Sequence, residues 1–278
     1  PKEKIQELMK RGKIKGILGD KHSSGEKIIL EYGETHLKTE YPILYTSADS
    51  VLQIAAHQDI FGLDRLYELC QLALEIFSFM RVQRVIARPF LGNSRDDFYR
   101  TKARKDFILP PEGETLCDRL LSSGQKCFGI GKIADIFANR GITSSISGKT
   151  DALLFEDMLD VIKVSMPGDL IFANFVEFDT LYGHKRDVSG YAKALEDLDK
   201  KLPKLFSILD EDDLMIITAD HGNDPTFHGS DHTREQVPVL IRNRNFDNKN
   251  YGIVKFSDIG ATMSNFLGIE PIAGTVIK

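Results

Sequence analysis

The sequence predicts an α/β protein: a doubly wound, mostly parallel sheet core with a smaller α+β domain ahead of it. Three observations carry this reading. Beyond residue 111, helical and continuous apolar segments alternate, the pattern of a parallel sheet covered on both faces. Before residue 110, short helices and strands follow one another irregularly. Between the two, Phe107-Ile108-Leu109-Pro110-Pro111-Glu112-Gly113 ends an apolar run in two prolines and a glycine, which cannot continue a helix and suits a crossover. The domains are therefore placed at 1–110 and 111–278, and 278 residues suffice for two cores.

Each element follows from its local pattern. Ile5, Leu8 and Met9 share one helical face, with Gly12 as the stop. Residues 41–45 and 84–88 read as strands, and Leu63, Leu66, Cys70, Ala73 and Phe77 recur between them at helical spacing. In the second domain, residues 116–121 form a helix stopped by Ser122-Ser123-Gly124, and residues 126–130 the strand that follows. Residues 169–175 and 213–219 are nearly continuous apolar strands. Between them Tyr191, Ala194, Leu195, Leu198 and Leu202 make an apolar helical stripe, ended or kinked by Pro203. Residues 237–241 are a further strand, and the closing helix runs from the cap residue Ser257 to Gly268.

Composition narrows the function classes. With 42% hydrophobic and 28% charged residues, disordered, collagen-like and fibrous chains are excluded. Thirty-six basic against forty-one acidic residues leave a net charge of −5, so no nucleic-acid partner is expected. No apolar run approaches the roughly 20 residues that span a bilayer, and no signal-peptide pattern is present, so the expectation is no membrane partner and a cytoplasmic location. Cys70, Cys117 and Cys127 are an odd number without a Cys-x-x-Cys pair, which reads as reduced thiols.

In open α/β sheets functional groups gather beyond the carboxyl ends of strands. The run 214–219 ends in Asp220-His221-Gly222-Asn223-Asp224, and the run 170–175 leads to Glu177-Phe178-Asp179-Thr180-Leu181-Tyr182-Gly183-His184. A third polar stretch, Gly229-Ser230-Asp231-His232-Thr233-Arg234-Glu235, adds another imidazole. Imidazole with carboxylate suits zinc, manganese or non-haem iron. Asp179, His184, Asp220, His221 and His232 oversupply one ion and suit two, an arrangement that stabilises phosphoryl transfer. Asp-His-Gly after a strand also suits a plain turn with capping groups. His228 reads as solvated or supporting, and His22, His36 and His57 as surface or satisfied core residues.

The stretches 178–187, 218–226 and 229–235 together resemble the phosphopentomutase family, bacterial-type enzymes of the alkaline phosphatase superfamily. Tyr45-Thr46-Ser47-Ala48-Asp49-Ser50-Val51, Arg84-Val85-Ile86-Ala87-Arg88-Pro89-Phe90 and Gly131-Lys132-Ile133-Ala134-Asp135 fit the same family, the first two as its cap. The resemblance implies interconversion of ribose 1-phosphate and ribose 5-phosphate, and of the deoxyribose pair, in nucleoside and pentose phosphate metabolism. It implies two Mn2+ ions and a phosphothreonine, and leaves open whether a sugar bisphosphate activator is needed. Asp220 and His221 would hold one metal, and Asp179, His184 and His232 the other. Ser47, Asp49, Val51, Arg84 and Ile86 would line the substrate pocket with Lys132, and Arg100 is a further phosphate candidate. The family's nucleophile and one more aspartate ligand are expected upstream of Pro1, where the chain opens Pro1-Lys2-Glu3. On that expectation this chain alone is inactive, and a di-metal phosphatase or phosphodiesterase of the same fold is the alternative reading.

Overall fold

The helical face of Ile5, Leu8 and Met9 becomes α1 (Lys2–Arg11) in a computed structural model that describes residues 2–46, 51–80 and 82–278. The chain divides into two units, Pro1–Leu109 and Pro110–Lys278. In the first, β1 (Leu18–His22), α2 (Gly25–Thr39), β2 (Ile43–Thr46), β3 (Leu52–His57), α3 (Leu63–Phe77), β4 (Arg84–Leu91), β5 (Tyr99–Arg100) and β6 (Lys105–Ile108) follow α1. They build a six-stranded sheet in the order β1-β2-β3-β4-β5, with β6 also on β4. The sheet is mixed, because β1–β2 and β3–β4 are parallel while β2–β3, β4–β5 and β4–β6 are antiparallel.

Period-2 alternation sorts the side chains of this sheet. Leu44, Ile54, Ala56, Val85 and Ala87 pack with Leu8 of α1 and Leu66, Leu69, Cys70, Ala73 and Leu74 of α3. Ile43, Tyr45, Ala55 and Phe90 pack instead with Ile28 and Ile29 of α2. Full burial of a leucine such as Leu8 or Leu66 contributes about 1.5–3 kcal/mol.

The second unit begins with α4 (Leu116–Ser122), whose N-cap Thr115 and Asp118 form a reciprocal capping box. Next come β7 (Cys127–Ile130), α5 (Ile133–Ile136), β8 (Ser144–Ile146), α6 (Asp151–Val164) and β9 (Leu170–Ala173). The strands form a parallel sheet in the order β8-β7-β9. Ile130, Ile171 and Ala173 pack under Leu154, Phe155, Met158 and Leu159 of α6. Cys127, Leu170 and Phe172 pack with Cys117 and Leu120 of α4 and with Ile269. This sheet is covered on both faces, as the alternating pattern predicts. Then follow α7 (Val188–Asp199), α8 (Leu202–Phe206), β10 (Met215–Ile217), β11 (Leu240–Arg242) and α9 (Phe256–Phe266).

Three expectations are corrected. Among the described residues the apolar run at 213–219 joins no parallel sheet: β10 pairs antiparallel with β11 in a separate two-stranded sheet. Apolar character reports burial and leaves the pairing partner open. Pro203 lies in the first turn of α8, where its missing N–H has no helical acceptor to lose, so it begins a second helix after α7. Ser257 lies inside α9, whose N-cap is Lys255, with the Asp258 carboxylate accepting the Lys255 N–H at 2.9 Å.

Candidate metal centre

The loops after β7 and β9 leave neighbouring carboxyl ends. Asn174 donates its N–H to the Ile130 carbonyl at 2.9 Å, and Gly131 turns at φ +77° directly against the Asn174 backbone. A Cβ on Gly131 would lie 2.1 Å from the Asn174 oxygen, so only glycine turns the chain here. Lys132 follows and is exposed. Asp151, the first residue of α6, accepts the N–H groups of Val176 and Glu177 at 3.0 and 2.8 Å. Burial holds its carboxyl above the ordinary range, against the pull of those two bonds and of Lys132. The clasp fixes the backbone just ahead of a π-helical turn, Phe178–Gly183, which carries Asp179. Turns of this kind are frequent at functional sites.

Asp179, His184 and His232 come together, with one ligand atom from each lying within 4.8 Å of the others. Asp179 Oδ2 is 3.2 Å from His184 Nε2, and Oδ1 is 3.3 Å from His232 Nε2. His184 Nδ1 lies 2.5 Å from the Ser230 carbonyl, which makes it the protonated nitrogen and leaves Nε2 turned toward Asp179. Asp179 and His184 are half-buried and His232 is exposed, so the group is open on one side. Two imidazoles and a carboxylate are a donor set for a borderline divalent cation, and an imidazole ligand oriented by a carbonyl is a usual companion of such sites. The residues fit a metal.

Asp220 and His221 sit beside this group. The His221 ring stacks on His232 at 3.7 Å between centroids, and its Nε2 is 3.5 Å from Asp220 Oδ2. Among the described residues these two complete no further group of three ligand atoms. His228 is exposed beside Phe227. His36 and His57 are core residues with bonded ring nitrogens, as expected.

The substrate candidates of the first unit fall in two places. Arg84 and Ile86 share a face of β4, and Leu52 pairs with Val85, which brings Val51 level with Arg84. The Arg84 guanidinium is 3.8 Å from Asp106. Arg100 pairs with Phe90 near the other end of β4 and bonds Glu26 at 2.7 Å. Ser47 and Asp49 lie outside the described residues. Sequence reasoning passed over Asn223 and Arg186. Asn223 is buried and donates from Nδ2 to Asp179 Oδ1 at 2.6 Å, and Arg186 bonds the loops around it. Their placement inside the same Asp/His stretches was the available signal.

Carboxylate and imidazole gathered beyond β9 suit a metal-dependent enzyme, and residues 126–271 match the Metalloenzyme superfamily, which sets the class. The phosphopentomutases of Legionella pneumophila strain Philadelphia 1 and Helicobacter pylori strain G27 are each 48% identical to this chain over 98% of its length. The chain spans about two thirds of the length of these relatives, 67% and 66%. The PH0037 protein of Pyrococcus horikoshii superposes at TM-score 0.47 with 14% identity, over 76% of this chain and 66% of that one. The chain belongs to the phosphopentomutase family, a family of isomerases, within the Metalloenzyme superfamily.

Proposed function

We propose that these residues serve a phosphopentomutase interconverting ribose 1-phosphate and ribose 5-phosphate, and the deoxyribose pair, through a phosphothreonine. The observation that carries the reading is the Asp179–His184–His232 group in a chain 48% identical to phosphopentomutases along nearly its whole length. Asp179, His184 and His232 would hold one Mn2+, and Asp220 and His221 would belong to the second. When bound, the ions supply Lewis-acid stabilisation of charge on the transferring phosphoryl group.

The chain's own residues orient and hold. Ser230 sets the His184 tautomer, and the Asp151 clasp holds the segment that delivers Asp179. Arg84 offers a phosphate two parallel N–H bonds and Lys132 a point charge. A substrate read in two orientations needs phosphate contacts that tolerate exchange, with Val51 and Ile86 as apolar contacts to the sugar. Ser47, Asp49 and Arg100 complete the proposed substrate set. A sugar bisphosphate activator, a cytoplasmic location and a place in nucleoside catabolism belong to the same proposal. No described helix is long and apolar enough to cross a membrane.

The test is 31P NMR of the natural gene product with Mn2+ and ribose 1-phosphate. Appearance of ribose 5-phosphate, lost in Asp179→Ala, is the expected result. Release of inorganic phosphate without any ribose 5-phosphate would replace the mutase by a phosphatase.

A further inference from the structure

Arg186 is a densely bonded side chain near the candidate centre, and nothing in the proposed reaction uses it. Its guanidinium makes five hydrogen bonds. Nε donates to the Gly229 carbonyl at 2.7 Å, and Nη2 to the Asp231 carbonyl at 2.6 Å. Nη1 donates to the Gly183 carbonyl at 2.9 Å, Asn223 Oδ1 at 2.6 Å and the Asp224 carbonyl at 3.1 Å. These acceptors sit on three separate stretches of chain: the turn carrying Asp179, the run following Asp220 and His221, and the loop containing Ser230 and His232. One planar cation therefore ties together the three segments that carry Asp179 and His184, Asp220 and His221, and His232.

Asn223 extends the tie to Asp179 itself. With Oδ1 accepting from Arg186, its amide is oriented so that Nδ2 donates to Asp179 Oδ1 at 2.6 Å. Gly183 makes room for this amide, since a Cβ there would lie 2.5 Å from Asn223 Nδ2. Arg186 also holds a left-handed backbone, φ 56°, which is unfavourable for a non-glycine residue and persists where surrounding bonds impose it.

We infer that Arg186 and Asn223 are positioning residues of the metal centre: Arg186 clasps the three ligand-bearing segments, and Asn223 fixes the rotation of the Asp179 carboxylate so that Oδ2 faces His184. Lysine cannot substitute for arginine, because three donors on one nitrogen do not span acceptors on three segments. The inference rests on the metal reading of Asp179, His184 and His232.

The experiment is Mn2+ titration by calorimetry into the full chain and into Arg186→Lys, Asn223→Ala, Gly183→Ala and Arg186→Ala. Circular dichroism and thermal unfolding of the metal-free proteins run alongside. Arg186→Lys, Asn223→Ala and Gly183→Ala should each bind Mn2+ about 10- to 100-fold more weakly, the usual effect of removing a group that orients a ligand. Their metal-free spectra should stay those of the parent. Methylguanidinium should restore Mn2+ affinity to Arg186→Ala, a rescue that a general packing defect would not show. Parent-like affinity in Arg186→Lys and Asn223→Ala overturns the inference, as does weakening seen only in variants that are already unfolded without metal. If the parent binds no Mn2+, the metal reading fails first and the clasp loses its object. If Asp179→Ala abolishes binding while these variants do not weaken it, the metal reading stands and the clasp alone is refuted.

Discussion

Acid should loosen the first unit through His36. This side chain is fully buried, with its ring between Phe61 and Phe90. Nδ1 donates to the Tyr41 carbonyl at 2.7 Å, and Nε2 accepts the His57 N–H at 2.8 Å. Both ring nitrogens are committed, and a second proton on Nε2 would face an N–H donor. Burial pushes its pKa below the ordinary 6.5, with nearby His57 acting the same way and the Tyr41 carbonyl and Glu40 opposing. The folded state therefore holds the neutral ring more tightly than the unfolded chain does. This stability is present in full above pH 6.5 and is lost as pH falls from 6.5 toward the lower folded value. Linkage limits the loss to about 1.4 kcal/mol per pH unit, or up to about 2 kcal/mol between pH 7 and pH 5. Hydrogen exchange at the β3 amides, His57 included, reads the opening energy directly. In His36→Gln the titrating group is gone, so that part of the pH slope should vanish even if absolute stability falls. An identical slope in parent and variant between pH 7 and pH 5 would show that His36 does not set this pH dependence.

Replacing Arg84 by alanine should weaken ribose 5-phosphate binding about 10- to 100-fold, the worth of a charge-assisted pair of bonds, and leave Mn2+ content unchanged. Calorimetry and metal analysis on one sample check both halves, and loss of Mn2+ would break the division between substrate and metal residues. Gly131→Ala should lower the unfolding temperature, since left-handed backbone alone costs about 1–3 kcal/mol and the added Cβ meets the Asn174 carbonyl. An unchanged midpoint would show that this turn relaxes freely. His232→Ala should abolish Mn2+ binding more completely than Asp220→Ala, because His232 belongs to the three-atom group and Asp220 is exposed beside it.

Much of the local structure was legible because one signal dominated. Five apolar residues from Leu63 to Phe77 at helical spacing mark α3. The apolar runs around β9 and β10 end where Asp and His begin. Pairing was not legible. β10 joins β11 through contacts that depend on the path of the intervening polar segment, which carries no periodicity. β1, reading Leu-Gly-Asp-Lys-His at the sheet edge, has no apolar alternation at all. The ligand-type side chains could be read at the site, because Asp and His after apolar strands are chemically conspicuous. The clasp could not. Lys185-Arg186-Asp187 looks like a solvated charged turn until the carbonyls of three separate segments are seen to converge on the guanidinium.

The proposed function stands on Asp179, His184 and His232 holding a divalent ion. Crystals soaked in Mn2+ and measured for manganese anomalous scattering test it directly. The expected result is a peak bounded by an Asp179 carboxylate oxygen, His184 Nε2 and His232 Nε2. No peak there at saturating Mn2+, or a peak that survives in His184→Ala/His232→Ala, would contradict it.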